Sequence, residues 1–178
     1  MSYSAAGLIG KGGAGRVRMM NFAIRPFTAD DAAWLISQHA EHYAIVEGFD
    51  ASFGPLVASI VDNFLQNHDP AREMGWLAHD GDKRLGTIFC VALNDKTAKL
   101  RLFYLIPDAR GTGAGQALLD QCLSFARGAG YQKLTLWTHE SHVAAGRIYK
   151  RNGFTRVASK PVRSFGVDLV EETWEISL

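Results

Sequence analysis

The chain has 178 residues, with 19 Lys and Arg against 18 Asp and Glu, and 47% of its residues are hydrophobic. A chain of this length builds one domain whose core needs no disulfide or metal to hold it together. The net charge of +1 lacks the excess of positive charge that nucleic acid or an anionic membrane surface requires, so we expect neither as a partner.

The two cysteines, Cys90 and Cys122, lie singly in apolar segments and lack the short Cys or His spacing of a zinc site. This pattern predicts buried, reduced thiols and no metal. No apolar run in the sequence approaches the roughly 18 residues of a membrane span. We therefore expect a cytoplasmic protein.

Residues 1–20 differ in composition from the rest of the chain. They contain five glycines and three cations and no acid, which predicts a flexible Gly-rich tail, with a single domain over residues 21–178. The glycines of residues 10–15 do not form a nucleotide phosphate loop, because Lys11 is followed by Gly12 instead of Ser or Thr.

The first part of the domain predicts one strand and two helices. Apolar residues alternate over residues 22–27, as in a half-buried strand. Thr28 with Asp31 three residues later is a helix start signal, and Gly48 is placed to end that helix. After Pro55 the apolar residues recur at helical spacing, which predicts a second helix.

The remainder predicts strands and helices in alternation. The turn residues at positions 80–82 separate two apolar runs as in a β-hairpin, and Pro107 ends the strand that follows. We predict strands over residues 75–79, 85–93 and 100–106, a helix over 115–128, a strand over 133–138, a helix over 142–151, and strands over 154–158 and 167–176. This order is that of a mixed α/β sheet with helices on both faces.

A glycine-rich segment between the strand over 100–106 and the next helix carries the strongest chemical signal. It consists of Arg110, Gly111, Thr112, Gly113, Ala114, Gly115 and Gln116. Glycines let backbone N–H groups approach an anion, and the new helix adds unpaired donors and the positive end of its dipole. The segment predicts a phosphate cradle, with a purely structural turn as the alternative. The dinucleotide fingerprint does not fit, because Gln116 stands where its last glycine belongs.

Residues 110–115 resemble the (Gln/Arg)-x-x-Gly-x-(Gly/Ala) signature of the GCN5-related N-acetyltransferases (GNAT), and the element order agrees over residues 22–178. The resemblance implies a mixed, largely antiparallel central sheet with a V-shaped splay and helices on both faces. Residues 39–64, 98–115, 134–138, 148–154 and 164–174 look like the acetyltransferase half of proteins that fuse a MarR-type DNA-binding domain to such an enzyme. Residues 1–20 are too few for that DNA-binding domain, so we do not expect DNA binding.

The resemblance implies acetyl-CoA as co-substrate, bound between the strand over 100–106 and the strand over 133–138. Its pyrophosphate would lie on residues 110–116, and its pantetheine amides would pair with the backbone of Phe103, Tyr104 and Leu105 as an added strand. Ordinary core packing is the alternative role for the side chains of Leu102, Phe103 and Leu105. His142 stands where many relatives have an asparagine near the coenzyme, so it joins the candidate coenzyme-binding residues.

Residues 148–154 resemble the family's Leu/Ile-Tyr-x-x-x-Gly-Phe segment, which implies that Tyr149 is the catalytic residue beside the coenzyme sulfur. Proton transfer from a phenol with a pKa of about 10 to a thiolate of about 8.5 is uphill. Hydrogen-bond stabilisation of the leaving thiolate, with late proton transfer, is therefore favoured. A core tyrosine near a helix end is the structural alternative.

The acceptor amine must lose a proton before it attacks, because the ordinary pKa of an alkylamine is about 10.4. Many relatives carry a glutamate on the strand before the loop, but residues 97–106 contain no carboxylate. Candidate bases are Glu41, Glu47, His139 and Glu140, each of which is alternatively a surface group. The resemblance also implies that a backbone amide near Tyr104 or Leu105 stabilises the oxyanion.

The resemblance places the acceptor beside the two N-terminal helices and residues 163–168. The aromatic residues considered for its wall are Tyr43, Phe49, Phe53, Trp76, Trp137, Phe165 and Trp174, most of which must be core. We expect a primary amine of a small molecule, an amino acid or a peptide as acceptor, and paired homodimers are common among similar proteins.

Three functions stay open. The leading one is an N-acetyltransferase that moves an acetyl group by direct attack in a ternary complex, and the alternative is a non-catalytic acyl-CoA or CoA sensor that lacks a base. The third is a protein-interaction domain that binds no coenzyme.

Overall fold

A computed structural model describes residues 21–178, and the predicted tail over residues 1–20 lies outside the described residues. The strands are β1 (Ala23–Pro26), β2 (Met74–Asp80), β3 (Lys83–Ala92), β4 (Thr97–Leu105), β5 (Lys133–His139), β6 (Thr155–Ser164) and β7 (Val167–Ser177). The helices are α1 (Ala32–Glu47), α2 (Phe53–Asn67), α3 (Ala114–Gly128) and α4 (Val143–Arg151), with short 3-10 turns at Ala29–Asp31 and Pro107–Ala109.

The strands form one seven-stranded sheet in the order β1-β2-β3-β4-β5-β7-β6. Neighbours are antiparallel except β4 and β5, which run parallel. The expectation of a mixed, largely antiparallel sheet is confirmed.

Each face of the sheet has its own hydrophobic core, because side chains alternate across a strand. On β2, Leu77 packs with Leu35 of α1 and Val61 of α2, whereas Trp76 and Ala78 pack in the second cluster, which includes α3 and Tyr149 of α4. Helices therefore cover both faces of the sheet, as expected.

Two local signals at the start of the domain behave as predicted. Thr28 and Asp31 form a capping box in which the Thr28 N–H donates to the Asp31 carboxylate at 3.0 Å. Gly48, with φ of +73°, ends α1 in the left-handed conformation.

Several predicted boundaries need correction. Helix α2 begins at Phe53, two residues before Pro55, and β4 begins at Thr97 rather than at residue 100. The strand predicted over residues 154–158 continues to Ser164, because it pairs with β7 through Pro161 and Val162. Its side chains are mostly exposed, which explains why hydrophobic alternation does not reveal it.

Cys90 and Cys122 are free and buried, as predicted. In the described part of the chain, no helix is long and apolar enough to cross a membrane.

Candidate functional site

The site is built where β4 and β5 diverge. In the described structure the two strands pair only from Thr97 opposite Lys133 to Leu100 opposite Leu136. Beyond Leu100, β4 keeps its pairing with β3, and β5 keeps its pairing with β7 up to His139. The edge of β4 that faces β5 is thus free from Arg101 onward. A V-shaped gap results, as the family resemblance implies, and an extended ligand with amide groups could pair there with the backbone.

An irregularity in β4 sets which side chains face which helix. The β3–β4 register shifts between Thr87 and Phe89, and Leu102 has φ of +48°, which is a left-handed conformation. Ala98 and Leu100 belong to the core on the α3 face, and after the shift Phe103 and Leu105 pack against that same core. Because Leu100 and Phe103 are three positions apart instead of two, the alternation is reset.

The reset turns Tyr104 toward α1. Its ring lies 5.1 Å from that of His39, and its hydroxyl donates to Gln38 at 3.3 Å. The side chains of Phe103 and Leu105 therefore pack against the core, as the structural alternative states for them, and the side chain of Tyr104 packs against α1. The backbone of all three residues borders the gap.

The glycine-rich segment forms an open loop before α3. Gly111 and Gly113 have φ of +76° and +95°, and a Cβ built on either would meet no described atom within 4 Å. Among residues 21–178, the backbone N–H groups of Gly111, Thr112 and Gly113 have no hydrogen-bond acceptor. Unpaired donors beside open space at a helix N-terminus fit a phosphate group.

The remaining residues of this segment hold the loop in place. Thr112 donates through Oγ1 to the Ala109 carbonyl at 2.7 Å. A Cβ on Gly115 would lie 2.8 Å from Leu105 Cδ1, so glycine lets α3 approach the end of β4 closely, and Ala114 is buried. The Gln116 amide donates to Asn152 at 2.7 Å and thereby joins α3 to the end of α4.

Arg110 bridges β4 and α1. Its Nε donates to the Leu105 carbonyl at 3.4 Å, and its Nη2 lies 3.4 Å from Nε2 of His42. This guanidinium is the cation at the start of the loop, and its two contacts, the Leu105 carbonyl and the His42 imidazole, carry no negative charge.

Tyr149 of α4 belongs to the core on the α3 face and is 4% exposed. Its ring centroid is 6.2 Å from Phe103, 5.6 Å from Phe154 and 6.3 Å from Trp174. No hydrogen-bond partner for its hydroxyl exists within the described residues. Burial raises the pKa of Tyr149 well above its ordinary value.

His142 caps α4 and is held from two sides. Its Nε2 lies 3.2 Å from a Glu47 carboxylate oxygen, and its Nδ1 lies 3.3 Å from Thr138 Oγ1. Burial lowers the pKa of His142, and Glu47 opposes that effect. These contacts tie α4 to the end of α1, while a contact of His142 with coenzyme stays a prediction.

The candidate bases are in unlike environments. Glu41 and Glu140 are exposed, and Glu41 accepts a hydrogen bond from Ser37 at 2.7 Å. Glu47 is engaged by His142 and by Ser141, whose hydroxyl donates at 2.9 Å. His139 has a buried Nδ1 without a partner among the described residues, and burial lowers its pKa.

The aromatic candidates divide into two sets. Tyr43, Phe49, Phe53 and Phe165 form one cluster with centroid distances of 4.7–5.3 Å, so α1, α2 and the β6–β7 turn meet as predicted. The tryptophans lie elsewhere: Trp76 packs on Phe125, Trp137 lies under Lys99, and Trp174 lies beside Tyr149.

A groove of about 550 Å³ lies between the end of α1, the residues after β5, and strands β6 and β7. It is lined by Val46, Glu47, Glu140, Ser141, Pro161, Asp168, Leu169 and Val170. Three carboxylates from separate segments meet there, although the sequence shows no run of acids.

Sequence reasoning missed two histidines of α1 that contact the end of β4, His39 and His42. Their three-residue spacing places them on one helix face, and both rings lie within 5.5 Å of the Tyr104 ring. That shared face is the signal that could have found them.

Comparison with curated proteins finds acetyltransferases. A mycothiol acetyltransferase from Geodermatophilus obscurus is 34% identical over 89 residues, covering 47% of this chain and 29% of that protein. N-acetyltransferase 8B from Homo sapiens is 34% identical over 86 residues, covering 46% of this chain and 38% of that protein. The chain thus matches well under half the length of these two relatives.

Solved structures share the fold. A GNAT-family acetyltransferase from Staphylococcus aureus has a TM-score of 0.73 and 18% identity, covering 88% of this chain and 99% of that one. A GNAT-family acetyltransferase from Elizabethkingia anophelis with acetyl-CoA bound has a TM-score of 0.63 and 16% identity, covering 89% and 99%. Residues 32–154, most of the chain, match the acetyltransferase (GNAT) family, and the chain belongs to that family.

Proposed function

We propose that the chain transfers the acetyl group of acetyl-CoA to a primary amine of a small molecule or a peptide, by direct attack in a ternary complex. The observation that carries this proposal is the set of unpaired N–H groups of Gly111, Thr112 and Gly113, which lie beside open space at the mouth of the β4–β5 gap. A pyrophosphate fits such donors, and the thioester would then enter the gap.

The residues proposed to bind acetyl-CoA follow from this placement. Residues 110–116 would hold the pyrophosphate, and the backbone of residues 103–105 would pair with the pantetheine amides along the free edge of β4. A backbone N–H near Tyr104 or Leu105 would stabilise the oxyanion that forms on the acetyl carbonyl.

Tyr149 is proposed to stabilise the leaving thiolate. Its hydroxyl has no partner among the described residues, so it is available to a ligand in the gap. Because burial raises its pKa, the phenol holds its proton tightly, and donation of a hydrogen bond is favoured over early proton transfer. The thioester supplies the activated acetyl group, and Tyr149 lowers the cost of releasing the sulfur.

Thiol release from acetyl-CoA, measured over a panel of small-molecule amines, amino acids and peptides, tests the proposal. Turnover of at least one amine is the expected result. Coenzyme binding by calorimetry, with no turnover over a broad panel, would favour the sensor instead. The absence of a carboxylate from β4, Thr97–Leu105, is the observation that supports this alternative. If acetyl-CoA neither binds nor raises the melting temperature, both proposals fail and an interaction domain is left.

The closer likeness to the acetyltransferase half of MarR-type fusion proteins stays a prediction, as does a homodimer. Sedimentation of the purified chain tests the homodimer directly.

A further inference from the structure

His42 lies on the face of α1 that borders the end of β4. Its ring centroid is 5.5 Å from the Tyr104 ring, and its Nε2 is 3.4 Å from Nη2 of Arg110. Arg110 also donates to the carbonyl of Leu105, so one side chain links the imidazole of His42 to the end of the free edge of β4. This position adjoins the gap proposed for the thioester.

The contact with Arg110 favours the neutral form of His42. A guanidinium group only donates hydrogen bonds, so Nε2 of His42 can act as its acceptor when the imidazole is neutral and carries its proton on Nδ1. A neutral imidazole has the lone pair that a general base needs, but Arg110 occupies that lone pair in this structure.

The charged and titratable groups around His42 act in both directions. Burial and the charge of Arg110 lower the pKa of His42, whereas Glu47 raises it. The other titratable groups near it are His39 and Tyr43 on α1, Tyr104 on β4, and His142 before α4. Arg110 is the one cation that contacts the ring in the described residues and also belongs to the proposed pyrophosphate loop.

We propose that His42 is the base that takes the proton of the acceptor amine, and that Arg110 keeps it inactive until coenzyme binds. The proposal rests on the proposed acetyl-CoA site. When a pyrophosphate occupies residues 110–116, the guanidinium turns to it and releases Nε2 of His42. Removal of the proton from the amine then requires bound coenzyme.

The contacts of Arg110 make this exchange favourable. Both of its hydrogen bonds are 3.4 Å long, beyond the usual range of about 2.7–3.2 Å, and both go to neutral acceptors. Hydrogen bonds from a guanidinium to phosphate are shorter and roughly twice as strong as neutral ones. Release of the Leu105 carbonyl also frees a backbone acceptor at the end of β4.

The proton and electron balance is complete. The ammonium of the acceptor gives one proton to Nε2 of His42, and the resulting amine attacks the thioester carbon to form the C–N bond. The C–S bond breaks and sulfur leaves with its electron pair, stabilised by the Tyr149 hydroxyl. The second nitrogen proton passes to the thiolate, and His42 returns its proton to solvent, which leaves an amide, the free thiol and one proton.

His142 and the carboxylates in the neighbourhood fit less well. Both nitrogens of His142 are already in contact with side chains, and Glu47 is engaged by His142 and Ser141. Glu41 is bound by Ser37 on the exposed side of α1, and Glu140 is exposed. His42 is the candidate whose partner would itself be drawn away by coenzyme.

The first test is NMR titration of the protein with labelled histidine, with and without saturating CoA, using His42→Asn to assign the signal. We expect the pKa of His42 to rise when CoA binds. In Arg110→Gln the pKa should already be raised without CoA, and CoA should add less. If CoA raised the pKa of His42 equally in the wild type and in Arg110→Gln, the charge of the coenzyme alone would explain the rise. That result would overturn the proposed control of His42 by Arg110.

The second test is turnover. His42→Asn should lower kcat by roughly 10²-fold or more, as for loss of a general base, and should remove the acidic limb of the pH profile. His79→Asn is the matched control, because within residues 21–178 the side chain of His79 forms a hydrogen bond only with the Gly81 carbonyl. Undiminished kcat in His42→Asn overturns the proposal while the acetyltransferase stands. If calorimetry detected no CoA binding, the proposed acetyltransferase function would be refuted, and the role of His42 would be refuted with it.

Discussion

The hydroxyl of Thr87 in β3 donates a hydrogen bond to the carbonyl of Leu102 in β4 at 2.8 Å. Leu102 has φ of +48°, a backbone conformation that costs a residue with a side chain on the order of 1–3 kcal/mol. The surrounding contacts must hold it there. The bond from Thr87 does so at the position where β4 resets its alternation and leaves β5.

Thr87→Val tests this role of the buried hydroxyl. Valine keeps the shape of threonine but leaves the Leu102 carbonyl without its donor, so we expect a loss of about 1–3 kcal/mol in the free energy of unfolding. Chemical denaturation measures it. Thr135→Val is the control, because Thr135 is also buried but its bond to the Trp174 carbonyl is 3.4 Å long. A larger loss in the control than in Thr87→Val would mean that other contacts hold Leu102 in its left-handed conformation.

Much of the fold could be predicted from the sequence because its signals are local. Alternation reveals β1, the start signal at Thr28 and the terminator Gly48 bound the first helical segment, and the glycines at positions 111–115 indicate an open loop before a helix. Each depends on residues a few positions apart. A family resemblance then orders these elements in one sheet.

The site could be predicted only in part, because its remaining contacts join distant segments. The left-handed Leu102 depends on Thr87 in another strand, and His42 meets Arg110 across 68 positions of the chain. Strand β6 extends to Ser164 because β7 pairs with it, and not because apolar and polar residues alternate along it. Tertiary contacts of this kind leave little local pattern.

Gly113→Val should abolish coenzyme binding while the protein stays folded. A Cβ at Gly113 meets no atom of residues 21–178 within 4 Å, so the added side chain would fill the space that a phosphate needs beside the loop amides. Calorimetric titration with CoA measures the loss. Gly130→Val is a matched control, because Gly130 also has a positive φ, of +81°, and also faces open space. Unchanged affinity in Gly113→Val, or equal losses in both variants, would refute the phosphate cradle.

His39 should make stability depend on pH. Burial lowers the pKa of His39 to about 4, from an unfolded value near 6.5, and its Nδ1 donates to the Leu35 carbonyl at 3.0 Å. Between these values the unfolded chain binds more protons, so stability falls as pH falls from about 6.5 to about 4. A difference of this size corresponds to about 3 kcal/mol over the whole window.

Denaturation of the wild type and of His39→Leu at pH 7.5 and pH 4.5 checks this expectation. The wild type should lose more free energy of unfolding between the two conditions than the variant, which has no imidazole at position 39 to protonate. The buried carboxyl of Asp31 does not account for the effect: Arg25, Arg84 and the Thr28 N–H lower its pKa, so its contribution is lost only below its ordinary value. If the free energy of unfolding changed equally with pH in the two proteins, His39 would not be the cause.

Tyr149→Phe should lower turnover by roughly 10²-fold, at the low end for loss of a proton-donating group, with coenzyme affinity near that of the wild type. The ring stays in its pocket between Phe103, Phe154 and Trp174, so packing is kept and only the hydroxyl is removed. Thiol release gives kcat, and calorimetry gives the affinity for CoA.

Tyr131→Phe is the matched control, since Tyr131 is also buried and its hydroxyl donates to the Arg72 carbonyl at 2.9 Å, a contact that includes no candidate site residue. It should change stability without changing turnover. Because burial raises the pKa of Tyr149, its proton is retained through neutral and mildly alkaline pH, and no alkaline limb in the wild-type kcat profile should belong to it. Equal losses of turnover and affinity in Tyr149→Phe would place the hydroxyl in coenzyme binding, and no loss at all would end its role beside the leaving thiolate.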